Sequence, residues 1–136
     1  MKRVVVAFAT GLLAAVAMAN AANAMEPAKY ADSSLGKILV DDKGMTLYTF
    51  DKDQKGATTS ACTGKCIAAW PPFVAPAGAK AEGDWTVVDV TDKDGKAEKM
   101  WAYEGKPLYY WVKDKKAGDT TGDGVGSVWH VVKQSM

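Results

Sequence analysis

Two cysteines are the residues whose type and spacing most directly suggest chemistry. Cys62 and Cys66 are the only cysteines of this 136-residue chain, and they lie four positions apart. In an oxidising compartment such a pair usually forms a disulfide. Closing so short a loop stabilises a fold by about 2 kcal/mol, so the bridge would fix one local turn. The spacing is not the C-x-x-C of thioredoxin-like enzymes and no βαβ pattern surrounds it, so we interpret the pair as structural.

The chain contains one histidine, His130. One histidine excludes metal sites that need two, including the blue-copper type. With a methionine such as Met45 or Met100 it could ligate haem or copper, although no C-x-x-C-H attachment motif is present. The alternative is a partly buried histidine whose ring nitrogens are satisfied within the fold.

Three aspartates, Asp114, Asp119 and Asp123, lie in a glycine-rich stretch. Carboxylate oxygens at this density can hold Ca²⁺, but the spacing is not that of an EF-hand. The alternative is that they accept backbone N–H groups in turns. Other carboxylates are frequent, yet none can be paired in space from the sequence, and we identify no catalytic residues.

Aromatic side chains are dense, with 5 Trp, 5 Tyr and 3 Phe. Large rings bring the most buried area per residue to a small domain, which favours a role in the core. Alternatively, some of them line a groove for a sugar, a peptide or a planar ligand. The candidate ligand-binding residues are Trp70, Trp101, Trp129 and His130.

Two predicted β-hairpins carry many of these residues. The first covers residues 38–50 with a turn at 41–44, and the second covers residues 99–112 with a turn at 104–107. Both have β-branched or aromatic strands around turn-forming residues.

The two hairpins share the pattern G-x-x-L-Y-x-[FW]-x-x-D. The matched residues are Gly44, Leu47, Tyr48, Phe50 and Asp53 in the first copy and Gly105, Leu108, Tyr109, Trp111 and Asp114 in the second. A weaker likeness extends to Trp70 and Trp129, giving repeats of about 36–75 and 97–133. We interpret each aspartate as a turn residue, or as the acceptor of a hydrogen bond from the tyrosine of its own motif.

The remaining elements are short. A strand is predicted over 85–90, another over 127–132, and a helix of one or two turns over 66–70, with Thr63 as its N-cap and Pro71 as its stop. The predicted fold is all-β, a small sandwich or barrel built from the two related hairpin repeats, with one short helix at the cysteine pair.

The N-terminus has the pattern of a secretory signal peptide over residues 1–24. Lys2 and Arg3 precede an apolar run of about 15 residues, and a small-residue cleavage site follows. That run is too short to span a bilayer. We therefore predict a flexible leader over 25–34, a single domain over 35–136, no transmembrane segment in the mature chain, and a periplasmic or secreted location. No cysteine stands at the cleavage point, so no lipid anchor is expected.

The charge balance bears on partners. Of the 17 Lys and Arg, Lys2 and Arg3 belong to the signal, which leaves 15 lysines against 16 acidic residues and no arginine. Nucleic acids and anionic membranes attract clustered cations and arginine forks, so the composition argues against both as partners.

The doubled Tyr48-x-Phe50-x-x-Asp53 and Tyr109-x-Trp111-x-x-Asp114 motif carries a family resemblance. Together with C-T-G-K-C, W-P-P and the ending G-V-G-S-V-W-H-V-V, it resembles the bacterial secreted-repeat family, also described as predicted lipoproteins with the Y-x-[FWY]-x-x-D motif. The resemblance covers about residues 36–133. That family has no established activity that the resemblance could imply, and this chain lacks the cysteine that a lipoprotein would need.

The leading functional hypothesis is an exported, soluble binding or interaction module for a small molecule, a glycan or a protein, without catalytic activity. The competing hypothesis is a periplasmic metal, haem or redox accessory protein that uses His130, the methionines or the cysteine pair.

Overall fold

A computed structural model describes residues 26–135 of the chain. The predicted signal peptide, residues 1–24, and Met25 lie outside the described residues. Within 26–135 the strands are β1 (Lys29–Ser33), β2 (Gly36–Val40), β3 (Tyr48–Phe50), β4 (Trp85–Thr91), β5 (Ala97–Tyr103), β6 (Lys106–Pro107) and β7 (Trp129–Val131). A short helix, α1, spans Lys65–Ala69, and a 3₁₀ turn spans Val125–Ser127. The predicted all-β class with one short helix beside the cysteines is confirmed.

The strands form three small antiparallel sheets. These are β1–β2, β3–β7 and β4–β5–β6. Isolated bridges such as Tyr48–Tyr109 and Val74–Met100 connect the sheets to one another and to the loops. None of these sheets closes on itself in the described part of the chain, so the barrel alternative is not adopted.

The folded domain begins earlier than the sequence predicts. The segment 25–34 is predicted to be a flexible leader, but Lys29–Ser33 form β1 and pair with β2 along its whole length. Ala28, directly before β1, is buried. The side chains of β1 are exposed or half-buried, so they give no apolar signal. Main-chain hydrogen bonds to the apolar strand β2 hold the segment instead.

The second predicted hairpin is regular. Tyr103 pairs with Lys106, which leaves Glu104 and Gly105 as a two-residue loop. Both loop residues have positive φ, 51° and 85°. This is what a type I′ turn requires and what the twist of paired strands favours.

The first predicted hairpin has the expected turn, and the outer part of its second arm pairs with another strand. Asp41 Oδ1 accepts the backbone N–H groups of Lys43 and Met45, at 2.8 and 2.9 Å. Beyond this turn the bridge between Val40 and Thr46 joins the two arms, and the N–H of Leu47 donates to the carbonyl of Leu39 at 3.1 Å. The strand β3 pairs with β7. The predicted hairpin therefore forms next to its turn, as the second one does, whereas residues 48–50 take their main-chain partners from the end of the second repeat.

The two repeats meet at Tyr48 and Tyr109. The backbone N–H of each donates to the carbonyl of the other, at 2.8 and 2.9 Å. On the outer sides, Val131 pairs with Tyr48 and Pro72 bridges to Tyr109. The surroundings of one tyrosine thus recur around the other, as an approximate two-fold axis between them requires.

The helix α1 begins without the predicted side-chain cap. Gly64 is the N-cap residue, with a φ of 58°, and no side chain bonds the free N–H groups. The carbonyl of Thr63, rather than its hydroxyl, accepts the N–H of Cys66. Within residues 26–135, no helix has the length and apolar character needed to cross a bilayer.

The core consists of two apolar clusters. The aromatic core includes Tyr48, Phe50, Trp70, Tyr109 and Trp129. The second cluster consists of Ala28, Leu39, Leu47, Phe73, Trp85 and Leu108. Successive side chains on an extended strand point to opposite sides, so the Leu-Tyr pair of each motif contributes one residue to each cluster.

Candidate functional site

Four rings form a continuous stack through the aromatic core. Phe50 stacks on Trp129 with ring centroids 4.2 Å apart, Trp129 on Trp70 at 3.8 Å, and Trp70 on Trp111 at 4.0 Å. The stack is symmetric between the repeats, because Phe50 corresponds to Trp111 and Trp70 corresponds to Trp129. Trp70 and Trp129 are each 4 % exposed, so these two candidate ligand-binding residues follow the core interpretation.

The motif tyrosines and aspartates bond across the repeats. The Tyr48 hydroxyl donates to Asp114 Oδ2 at 2.6 Å, and the Tyr109 hydroxyl donates to Asp53 Oδ2 at 2.6 Å. All four residues are buried. The interpretation that each aspartate bonds the tyrosine of its own motif is therefore wrong. The partners are exchanged because the approximate two-fold axis brings each tyrosine beside the turn of the other repeat.

The same aspartates also order the loops that follow them. Asp53 Oδ1 accepts the backbone N–H of Ala61 at 2.7 Å. Asp114 Oδ1 accepts the N–H and the hydroxyl of Thr121, at 3.0 and 2.6 Å. Each carboxylate thus ties a strand of one repeat to a loop of the other.

The protonation of these groups suits a structural role. Burial, and next the hydrogen bond to a carboxylate, raise the pKa of Tyr48 and Tyr109 above the usual tyrosine range. Burial also raises the pKa of Asp53, although the hydrogen bonds from Tyr109 and Ala61 oppose the rise. Hydroxyls that keep their protons at neutral pH act as donors and not as bases. The Tyr–Asp pairs are therefore fixed links.

Cys62 and Cys66 form a disulfide, with the sulfur atoms 2.07 Å apart. Cys62 is fully buried. Its backbone N–H donates to Ser60 Oγ at 3.0 Å, and Ser60 Oγ lies 2.6 Å from the Tyr109 hydroxyl. The bridge therefore connects the start of α1 to the loop that contacts the Tyr109–Asp53 pair.

His130 lies on β7 at the surface. Its Nε2 atom is 2.9 Å from Asp51 Oδ2, and the two side chains are 44 % and 46 % exposed. The pair forms a salt bridge whenever the imidazole is protonated. Within residues 26–135, no three His, Cys, Asp or Glu side chains are grouped as metal ligands would be.

The three aspartates considered for calcium act separately. Asp119 Oδ2 accepts the backbone N–H of Lys115 at 2.8 Å, and such backbone bonds lower the pKa of Asp119. Asp123 Oδ1 accepts the N–H of Val131 at 3.0 Å. Asp114 bonds Tyr48, as described above. Asp114 and Asp119 thus accept backbone N–H groups within the loop, as the turn interpretation predicts, whereas Asp123 accepts one from β7.

A cleft of about 670 Å³ opens beside the β4–β5 hairpin. Trp101 and Tyr103 lie two residues apart on the same face of β5, and Trp85 on β4 pairs with Tyr103 in register. The Trp85 ring lies 4.8 Å from that of Tyr103 and 5.9 Å from that of Trp101, between centroids. Trp85 is buried and the other two are half-buried. We call this site, with these three rings, the aromatic cleft.

The rim of the aromatic cleft carries more negative than positive charge. Glu26, Glu82 and Asp84 line it together with Lys80, and all four are exposed. Glu82 and Trp85 exchange backbone hydrogen bonds of 2.8 and 3.0 Å. These bonds hold the acidic loop against the start of β4.

Trp101 occupies a position that differs between the repeats. Its N–H donates to the carbonyl of Phe73, as the N–H of Leu39 donates to the carbonyl of Val132. Leu39 is thus its structural counterpart in the first repeat. An indole replaces an aliphatic side chain at an equivalent backbone site.

The other two rings of the cleft are also confined to the second repeat. The equivalence of Leu39 and Trp101 extends along the paired strands of each repeat. Asp41 occupies the position in the first repeat that Tyr103 has in the second, and Ala28 occupies the position that Trp85 has. The core rings recur in both repeats, whereas the rings of the cleft occur once. The duplicated framework therefore does not account for them.

Sequence reasoning identified one ring of the cleft, Trp101, and missed Trp85 and Tyr103. The available signal was the two-residue spacing of Trp101 and Tyr103 on one predicted strand, which places them on one face. The register that brings Trp85 beside them depends on the pairing of β4 with β5, which the sequence did not reveal.

One protein family matches the chain twice. The profile of a family described as a secreted repeat of unknown function matches residues 29–74 and again residues 88–133. No curated protein and no solved structure matches the chain. The two matched segments correspond to the two structural repeats, and the first begins at the start of β1. The chain therefore belongs to this family of secreted repeats of unknown function.

Proposed function

We propose that this protein is an exported binding module, located in the periplasm or the external medium, that holds a small molecule in the aromatic cleft without catalysing a reaction. The observation that carries the proposal is the set of three rings on β4 and β5 that line one cavity of about 670 Å³. Ligand sites are typically concave, of a few hundred cubic ångströms, and lined by aromatic side chains with a few polar groups.

The rings are held rigidly, which favours binding. Trp85 is part of the second cluster, and Trp101 and Tyr103 pack against it. The paired strands β4 and β5 fix their spacing over seven residue pairs. A preformed platform of this kind avoids most of the entropy cost of ordering side chains on binding.

The rest of the molecule supports the cleft and does not compete with it. The motif tyrosines and aspartates form hydrogen bonds between the repeats, and Trp70 and Trp129 are buried. Trp101 is thus the member of the predicted ligand-binding set whose ring lines a cavity.

The proposal is tested by screening the mature protein against arrays of glycans, peptides and small metabolites. Candidates are then titrated while tryptophan fluorescence is followed. Any ligand of the cleft should lose at least about fivefold in affinity with Trp101→Ala, since a stacked ring contributes roughly 1 kcal/mol or more. Val112→Ala is the control, because Val112 is an exposed apolar residue outside the cleft. Failure of every array, or binding that Trp101→Ala leaves unchanged, would contradict the proposal.

A further inference from the structure

We propose that the ligand of the aromatic cleft is a small organic cation, such as a quaternary or protonated amine. The inference rests on the function proposed above and specifies the chemical class of the ligand. It combines the charges on the rim with the aromatic rings that line the cleft.

The charges on the rim favour a cation. Three carboxylates, those of Glu26, Glu82 and Asp84, line the cleft against the single ammonium group of Lys80. Three negative charges and one positive charge give the lining a formal net charge of −2. Charges around a concave site concentrate the field inside it, so a cation is attracted and an anion is repelled.

The rings favour the same sign of charge. The face of an indole or phenol ring carries negative potential, and a cation within about 6 Å of its centre is attracted to it. Trp101 and Tyr103 are half-buried, so each offers part of a ring to a bound ligand. An ammonium group bound in the cleft would lie near these rings, and the rim carboxylates would balance its charge.

A nearby tyrosine packs against one ring of the cleft. Tyr30 packs edge-on against Tyr103, with ring centroids 6.4 Å apart. Burial and the neighbouring Tyr103 hydroxyl raise the pKa of Tyr30, and the negative charges of Glu104 and Asp84 add to the rise. Burial is the largest of these causes, so Tyr30 packs against Tyr103 as a neutral side chain.

A neutral sugar is the strongest competitor, because it also stacks on tryptophan. A sugar would gain from the rings but would leave the rim carboxylates without a counter-charge. A cation uses both features.

The test compares two molecules of the same shape. Choline and 3,3-dimethylbutan-1-ol differ in whether a charged nitrogen or a neutral carbon carries the three methyl groups. Each is titrated into the mature protein by calorimetry and tryptophan fluorescence. We expect choline to bind roughly tenfold or more tightly than the neutral alcohol, and added salt to weaken choline alone.

Variants separate the charges from the rings. Glu82→Gln/Asp84→Asn should weaken choline several-fold and leave the alcohol unchanged, while Lys80→Gln should strengthen choline. Glu98→Gln is the matched control, because Glu98 lies on β5 outside the cleft lining. Trp101→Ala should weaken both molecules.

The outcomes distinguish the two proposals. If the alcohol binds as well as choline, or if the arrays yield only neutral or anionic ligands that depend on Trp101, the cation inference is wrong and the binding module stands. If Trp101→Ala leaves the affinity for choline unchanged, the inference is also wrong. If no ligand of any class depends on Trp101, both proposals fail.

Discussion

At the residue scale, the molecule depends on two exchanged Tyr–Asp hydrogen bonds. The hydrogen bonds of the Tyr48–Asp114 and Tyr109–Asp53 pairs are both 2.6 Å long, and all four residues are buried. A buried carboxylate that loses its hydrogen-bond donor keeps the cost of its desolvation without compensation. Removing one partner of a pair therefore destabilises the fold more than replacing both partners by apolar side chains.

A double-mutant cycle tests this exchange. Tyr48→Phe alone should lower the free energy of unfolding by about 1–3 kcal/mol, because Asp114 loses its donor. In urea unfolding, Tyr48→Phe and Asp114→Asn should show a coupling energy of about 1 kcal/mol or more, whereas Tyr48→Phe and Asp53→Asn should be nearly additive. Stronger coupling of Tyr48 to Asp53 than to Asp114 would contradict the exchanged pairing.

The raised tyrosine pKa values predict a loss of stability in alkali. Burial, and next a bond to a carboxylate, raise the pKa of Tyr48, Tyr109 and Tyr110. The folded state thus holds these protons more tightly than the unfolded chain, whose tyrosines titrate near about pH 10. Stability should therefore be retained below about pH 10 and fall above it, by up to about 1.4 kcal/mol per pH unit for each tyrosine.

Urea unfolding from about pH 8 to about pH 11 measures this dependence. Tyr48→Phe should make the alkaline fall shallower, since one of the hydroxyls with a raised pKa is absent. A stability that stays constant to pH 11 would refute the expectation.

At the scale of elements, the glycine-rich segment before β7 contacts the aromatic core at the buried Gly122. The N–H of Gly122 donates to the Tyr48 hydroxyl at 3.1 Å. A Cβ atom on Gly122 would lie 2.8 Å from Tyr48 Cζ and 2.9 Å from Trp70 Cη2. The segment is therefore part of the wall of the aromatic core, and only a glycine fits there.

Gly122→Ala should destabilise the protein by roughly 1–3 kcal/mol, because the added methyl overpacks the core. In a Tyr48→Leu background this penalty should shrink, since the opposing ring is gone. Thermal and urea unfolding measure both values. Gly95→Ala is the comparison: Gly95 has a φ of 86° and open space around it, so it reports backbone strain alone. Equal Gly122→Ala penalties in both backgrounds would show that the ring contact is not the cause.

At the scale of the whole molecule, the two repeats form one folding unit. Tyr48 and Tyr109 exchange backbone hydrogen bonds, and Trp70 stacks on Trp129. Neither repeat completes the aromatic stack or its tyrosine bonds without the other. A small chain segment that cannot bury its apolar face has little stability alone.

Cleavage of the connecting loop tests this unity. A protease site inserted after Ala77 should yield a nicked protein that keeps its circular dichroism and migrates as one species in gel filtration. After separation in urea, each fragment alone should stay unfolded, and mixing should restore the near-ultraviolet signal of the stacked tryptophans. A fragment that refolds by itself would contradict a shared core.

The sequence predicted much of this framework because its signals are local. The turns at Asp41 and Gly105 follow from turn chemistry, and the Cys62–Cys66 bridge follows from spacing. The doubled Tyr and Asp positions are visible by alignment of the chain with itself. The strand β1 was missed because backbone bonds, which depend on a partner strand, hold it in place.

The amino-acid sequence by itself thus determined the strand-rich class, the duplication and the set of motif residues, since periodicity, turn residues and repetition are properties of neighbouring positions. Only the tertiary structure decided which tyrosine bonds which aspartate, and that Trp85, Trp101 and Tyr103 share one cleft. The physical reason is that these contacts depend on the axis relating the repeats and on strand register. Both arise from packing the whole chain at once, so they join residues that no local pattern connects.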